Sequence, residues 1–221
     1  MQSKIKIPNS SIEVKNKVKD SIFWGNIKNV KSKEEAEDFI EKIKEKYYDA
    51  SHNVSAYVIT NGEENIEYYD DDGEPSKSSG PPILKSIKGA DLIDTVVVVN
   101  RYFGGTELGI GGLIRAYGGT AKKVIKKVGI KELKLYYYVT AFGNYDTVGT
   151  ILGQVEAFNG KIKNTKYSND GIKVFFYLKP KVFKKLKSDL VEKTGNNVEM
   201  EINKKLYLWN LSLIDIIRSK C

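Results

Sequence analysis

Thr95-Val-Val-Val-Val-Asn100, followed by Arg101-Tyr-Phe-Gly-Gly-Thr-Glu-Leu-Gly-Ile-Gly-Gly-Leu-Ile-Arg-Ala-Tyr-Gly118, is the stretch that decides how this chain is read. The first run reads as a buried strand. The second is a glycine-rich turn that opens a helical pattern continuing to about Val128. Strand, glycine turn and helix N-terminus in succession leave backbone N–H groups pointing outward, a setting that favours an anion. Arg101 and Arg115 flank the turn in sequence, and Tyr102, Phe103 and Tyr117 lie beside them. Tight packing alone accounts for the glycines, which permit positive φ and close backbone approach. It accounts less well for the arginines and aromatic rings, a pairing that suits phosphate contact and base stacking.

Working outward, residues 12–19 and 21–29 read as short strands around Asp20. Ser32-Lys-Glu-Glu35 is a capping box: the Ser hydroxyl accepts from an amide of the first turn, and Glu35 reaches back. The helix behind it places Ala36, Phe39, Ile40, Ile43 and Tyr47 on one face. His52–Ile59 reads as a strand, Asn61-Gly62 as a turn and 65–69 as the hairpin partner. Residues 70–75 form an acidic loop that runs on to Pro82, ahead of a short helix at 83–88. The strand at 94–100 follows. The helix after the glycine turn is expected to bury Leu113, Ile114, Tyr117, Ala121, Val124, Ile125 and Val128, with Lys122, Lys123, Lys126 and Lys127 opposite.

A second pattern begins near Leu133. Strands at 134–142, 160–168, 171–179 and within 197–210 alternate with helices at 144–157 and 181–193. Asn169-Asp-Gly171 is a strong hairpin signal. The order β-α-β-β-α-β is the ferredoxin-like split arrangement. The predicted class is α+β in two domains, 1–132 and 133–221.

Composition narrows the function classes. At 221 residues, with 41% apolar and 29% charged side chains, the chain reads as globular rather than disordered. No apolar run approaches the roughly 20 residues needed to span a bilayer, so no membrane partner is expected. The single cysteine, Cys221, excludes a disulfide framework within one chain, and the start of the sequence carries no signal-peptide pattern. Both point to the cytoplasm. Net charge is +8, with +6 of it from Leu135 onward. Such a basic C-terminal third favours a polyanion such as RNA, against the alternative of a lysine-rich solvated surface.

Chemistry-bearing residues are few. His52, the sole histidine, must serve any imidazole acid–base step, although its place at a strand start beside Asn53 suits a hydrogen-bonded structural role. Asp70, Asp71, Asp72 and Glu74 can be read as ligands for a hard cation, as carboxylates capping nearby amides, or as partners that pair with Arg101 or Arg115 and hold the glycine turn in place. EF-hand spacing is absent. The glycine stretch lacks the Gly-Lys-Ser/Thr of a phosphate loop and the spacing of a dinucleotide fingerprint. Nor is there a nucleophile elbow or a His-Glu-x-x-His zinc motif. No metal and no cofactor is expected.

Four blocks then carry a resemblance: His52-Asn-x-x-Ala-Tyr57, Asp71-Asp-Gly-Glu-Pro75, Gly80-x-Pro-Ile-Leu84, and Val97-Val-Val-x-Arg-Tyr-Phe-Gly-Gly105 through Leu108-Gly-x-Gly-Gly-Leu-x-Arg-Ala-Tyr117. In this order they resemble the YigZ/IMPACT family over about residues 15–128. Two departures stand out: Ser76-Lys-Ser-Ser-Gly80 where most relatives have Ser-Gly-Thr-Ala-Gly, and Asn100 where Thr is usual. The resemblance implies an N-terminal domain folded like one domain of a small-subunit ribosomal protein, like domain IV of elongation factor G and like GHMP kinases. It implies a C-terminal domain like domain V of that factor. Eukaryotic members act in translational control under amino-acid starvation by competing for an activator of a kinase that modifies an initiation factor.

The functional expectation is a non-enzymatic, translation-associated regulator that binds RNA or the ribosome. Arg101, Tyr102, Gly104, Gly105, Gly109, Gly111, Gly112, Arg115 and Tyr117 would form the phosphate- or nucleic-acid-binding surface. His52, Asn53, Asp71, Asp72 and Glu74 would support it. Two alternatives stay open: a nucleotide- or phosphate-ligand protein or enzyme, and a protein-binding module acting through the acidic loop.

Overall fold

The computed structural model describes residues 2–60 and 64–209. The expected Asn61-Gly62 turn, position 210 of the last expected strand segment and Cys221 lie outside the described residues. The chain is α+β and divides into two compact units, one comprising residues 5–132 and the other residues 2–4 with the chain from Leu133 onward. A short first strand, β1 (Lys4–Pro8), was not anticipated. Its start runs with the second unit, where the Leu135 N–H donates to the Ser3 carbonyl. Further on it runs with the first unit, where the Ile93 N–H donates to the Lys6 carbonyl.

The first unit is built on β2 (Ile12–Val18), β3 (Ser21–Asn29), β4 (His52–Thr60), β5 (Asn65–Asp70) and β6 (Thr95–Tyr102). They form one antiparallel sheet in the order β2-β3-β6-β4-β5. The valine run occupies the middle strand because both faces are covered. Helix α1 (Lys33–Lys46), capped by the Ser32 hydroxyl accepting from the Glu35 N–H, packs Phe39, Ile40 and Ile43 against Tyr57, Ile59, Val96 and Val98. Helices α2 (Gly80–Gly89) and α3 (Gly109–Val128) pack on the other face and against each other. Gly25 allows the approach of α3, since a Cβ there would lie 2.9 Å from Thr120 Cγ2.

Three expectations shift here. Helix α2 begins at Gly80, three residues earlier than the pattern predicted. Pro81 and Pro82 fall in its first turn, where the missing N–H groups would have had no intrahelical partner anyway. Ile114 is 43% exposed rather than buried, because it lies on the open side of α3. Strand β7 (Ile130–Gly143) starts directly after Gly129, whose φ of +71° turns the chain out of α3.

The second unit continues from β7 through a 3-10 turn (Tyr145–Thr147) into α4 (Val148–Ala157), β8 (Lys161–Ser168), β9 (Gly171–Leu178), α5 (Pro180–Lys193) and β10 (Val198–Leu208). Its sheet has five strands: β1 pairs with β7, and β10-β7-β9-β8 pair antiparallel in that order. That is the split β-α-β-β-α-β arrangement. Val139, Ala141, Ile172, Val174, Phe176 and Val198 face inward with Ile151, Val155, Leu186 and Leu190.

Candidate functional site

The site in the first unit grows from strand register. Arg101 lies opposite both Phe23 on β3 and His52 on β4, and residues directly opposite in an antiparallel pair share a face. All three therefore project toward α3. Asn100 lies opposite Trp24 and Asn53 and projects toward α1. There Asn26 Nδ2 donates to Asn100 Oδ1 at 2.8 Å, and Asn100 Nδ2 donates to Asn53 Oδ1 at 2.6 Å. The Asn53 N–H donates to Asp72 Oδ2 at 2.6 Å, so this amide chain ties the sheet to the acidic loop.

Behind the sheet, Glu74 is the hub. Its Oε1 accepts from Arg101 Nη1 and from the Tyr117 hydroxyl, both at 2.7 Å. The side chains of Arg101 and Glu74 are 6% and 3% exposed, so this is a buried ion pair. The guanidinium lies 5.8 Å from the Phe23 ring and 5.3 Å from the Phe103 ring, while Arg101 Nε is buried without a partner. Burial, and then the bond to Glu74, push the Tyr117 hydroxyl well above the ordinary tyrosine range. His52 Nδ1 sits 2.8 Å from the Asp72 carbonyl. A carbonyl can only accept, so Nδ1 carries the proton and Nε2 faces Glu74 Oε1 at 4.0 Å. His52, Glu74, Arg101, Phe103, Gly109 and Ile110 border a small pocket of about 360 Å³.

The acidic loop is committed inward. Asp71 accepts from the amides of Lys77, Ser79 and Gly80 and from the Ser79 hydroxyl. Burial works to raise its pKa, but these bonds outweigh it and hold the carboxyl below its ordinary value. Among the described residues, no group of three or more His, Cys, Asp and Glu side chains is arranged to hold a metal ion.

The glycine turn is pinned at Gly104 and exposed beyond it. A Cβ on Gly104 would lie 2.0 Å from the Asp20 carbonyl oxygen, and Thr106 Oγ1 donates to Asp20 Oδ2. Gly105 and Gly109 have φ of +91° and +67°. Tyr102 donates to Asp49 Oδ1 at 2.6 Å, a bond that, with partial burial, pushes its hydroxyl up to about 12. Gly111 and Gly112 lie in the first turn of α3.

The two arginines are not brought together. Arg101 is buried against Glu74, so it does not present its guanidinium to a phosphate at the surface, and Tyr117, 0% exposed, offers no ring face for stacking. Arg115 is exposed and borders a different feature, an open groove of about 1200 Å³ between α2 and α3. Its cations are Lys77, Lys85, Arg115, Lys122 and Lys126, and among the described residues its lining contains no carboxylate. Pro82 and Ile114 supply apolar surface, and a side chain at Gly119 would meet only open space. Lys85 lies within the helix expected at 83–88, but the packing of α2 against α3 that brings it to Arg115 is not visible in sequence. The signal was present in α3, where Arg115, Lys122 and Lys126 recur at helical spacing.

These features define a two-unit α+β protein with a buried Glu–Arg–Tyr cluster beside a basic groove. The Impact N-terminal domain matches residues 19–125. The chain is 34% identical over 191 residues to the IMPACT family member YvyE of Bacillus subtilis, covering 86% of this chain and 87% of that protein. It is 30% identical over 165 residues to the IMPACT family member YigZ of Escherichia coli, covering 73% of this chain and 79% of that protein. A solved structure described as that of a hypothetical protein shares the fold, with a TM-score of 0.63 at 24% identity over 92% of this chain and 99% of that one. The chain belongs to the IMPACT family. Among the described residues no helix is long and apolar enough to cross a membrane.

Proposed function

We propose that this protein is a translation-associated RNA-binding regulator, and that the α2/α3 groove of its first unit carries the contact. The observation behind this reading is the groove itself: five cationic side chains around a partly apolar floor, with no carboxylate among the described lining residues. Clustered unpaired cations attract phosphate, and each neutralised phosphate releases counterions. Binding rather than turnover is favoured because the same described lining holds no imidazole, carboxylate or thiol to act as a base or nucleophile. Family membership directs the RNA reading toward translation. The surface differs from the one expected from sequence: Arg115 stays in it, while Arg101 and Tyr117 support the fold behind it.

Co-sedimentation with ribosomal subunits at low and high salt tests the proposal. Wild-type protein should pellet with a subunit at low salt and be released as salt rises. The Lys85→Glu/Lys122→Glu variant should stay in the supernatant. Failure of the wild type to pellet at low salt would remove the ribosome as the partner.

A second reading rests on the small pocket, where His52 Nε2 and the Glu74 carboxylate face each other at 4.0 Å. A small polar ligand would bridge them. A nucleotide screen read by thermal stabilisation, with loss of the effect on His52→Ala, tests it.

A further inference from the structure

A different surface, in the second unit, carries aromatic rings and cations in register. Strands β7 and β9 are the two central strands of its sheet. Val139, Ala141, Val174 and Phe176 face the helices, so the alternate residues Tyr138, Phe142, Phe175 and Tyr177 project from the opposite face. Tyr138 stacks beside Phe175 at 6.2 Å and lies 5.2 Å from Tyr177. Tyr177 is 3% exposed, whereas Tyr138, Phe142 and Phe175 are half-buried and keep part of their faces open.

Each ring already holds a cation. Lys163 Nζ lies 5.5 Å from the Tyr138 ring and 5.8 Å from the Tyr177 ring. Lys166 and Lys173 each lie 5.8 Å from a ring, that of Phe175 and that of Phe142. By strand pairing, Lys161 opposite Tyr177 and Lys204 opposite Tyr138 share this face. Five lysines thus meet three carboxylates: Glu199 and Glu201 of β10, and Asp170 of the hairpin turn, which borders a depression of about 520 Å³ beside Phe142 and Phe175.

We propose that this sheet face is a stacking platform for single-stranded RNA. Two or three unpaired bases would lie on Tyr138, Phe175 and Phe142, with phosphates drawn to Lys163, Lys166 and Lys173. A β-α-β-β-α-β sheet with aromatic residues on its central strands is suited to this, because every base offers a π-face and the backbone can follow the lysines. The cation–ring contacts of the free protein do not oppose it. A stacked base outweighs an exposed cation–π contact, and the displaced ammonium group gains a phosphate partner. The inference does not depend on the α2/α3 groove, although the choice of RNA over DNA follows the reading proposed above.

The test uses the full-length protein and fluorescence anisotropy with three labelled probes: a ten-nucleotide oligouridine, an oligothymidine DNA of the same length and a ten-base-pair RNA duplex. Phe175→Leu keeps apolar volume and removes the aromatic face. It should weaken oligouridine binding roughly tenfold while changing duplex binding less than twofold. Lys166→Glu/Lys173→Glu, at exposed positions, repeats the test if Phe175→Leu proves unstable, and should also weaken oligouridine binding. Unchanged oligouridine affinity in folded variants overturns the platform, whatever the groove variant does. Equal losses for oligouridine and duplex in Phe175→Leu overturn it too, since stacking needs unpaired bases. Tighter binding of oligothymidine than oligouridine overturns the assignment to RNA. If Lys85→Glu/Lys122→Glu leaves binding to ribosomal subunits intact while Phe175→Leu loses oligouridine, the groove proposal falls and the platform stands.

Discussion

Two charged regions of the first unit carry arginines from the same glycine-rich stretch, and they treat charge in opposite ways. Around Glu74, the charge of Arg101 is enclosed, paired at 2.7 Å and held beneath α3 by Tyr117. In the α2/α3 groove, Arg115 stands among lysines with no carboxylate in the described lining. A buried pair has already spent its Coulomb energy offsetting desolvation, so it contributes to fold geometry and offers little to a ligand. Exposed cations keep their attraction for whatever polyanion arrives. The difference shows that a residue's position in a motif does not set its role; burial and partner do.

The contrast is broken most forcefully at Glu74. Glu74→Ala leaves the Arg101 guanidinium buried and unpaired, which should cost about 3–5 kcal/mol in urea unfolding. A loss below about 1 kcal/mol would mean that water reaches the cluster and that it is not the closed unit described. Tyr117→Phe removes one hydrogen bond to the same carboxylate and should cost about 1.5–3 kcal/mol, the range for bonds to charged groups. Gly104→Ala places a methyl against the Asp20 carbonyl. It should cost about 1–3 kcal/mol by overpacking the turn, measured by thermal melting. Arg115→Glu in the groove should alter stability by no more than about 0.5 kcal/mol, as expected for an exposed site away from the core.

Acid sharpens the same comparison. The Asp71 carboxyl lies below its ordinary value of 3.8 in the folded state. Its contribution is therefore fully present above the unfolded value and is lost as pH falls through the depressed folded value. Wild type should lose stability below about pH 4 more steeply than Asp71→Asn, and the two should converge in strong acid. Parallel pH–stability curves would show that the loop amides do not bind the Asp71 carboxylate as described. No comparable acid sensitivity is expected from the groove, which has no carboxylate in its described lining.

Much of the fold was legible before the structure, for physical reasons. The valine run of β6 signals a strand covered on both faces, Ser32-Lys-Glu-Glu35 signals a helix start, and Asn169-Asp-Gly171 signals a hairpin. What hid from sequence was what depends on tertiary pairing. The pairing of the acidic loop with Arg101 is one of three readings the sequence allows for that loop; which carboxylate takes part, Glu74, 27 positions from Arg101, and its burial depend on how β4, β6 and the loop register. Pro81 and Pro82 disguised the first turn of α2. Ile114 reads as buried from helical spacing alone; which side of α3 stays open depends on how α2 packs against it, which spacing does not show. Asn100 read as a departure from the family pattern; in the fold it bridges Asn26 and Asn53.

The account's central claim is that the exposed groove meets RNA while the buried cluster holds the fold. The most direct test is the salt dependence of RNA affinity, measured for wild type, Lys85→Glu/Lys122→Glu and Tyr117→Phe at a temperature where all three are folded. The account predicts that the groove variant loses at least about tenfold in affinity and that its log–log salt slope falls by roughly 2, with Tyr117→Phe indistinguishable from wild type. An unchanged slope in the groove variant, with affinity lost in Tyr117→Phe, would contradict it and move the ligand to the pocket beside His52 and Glu74.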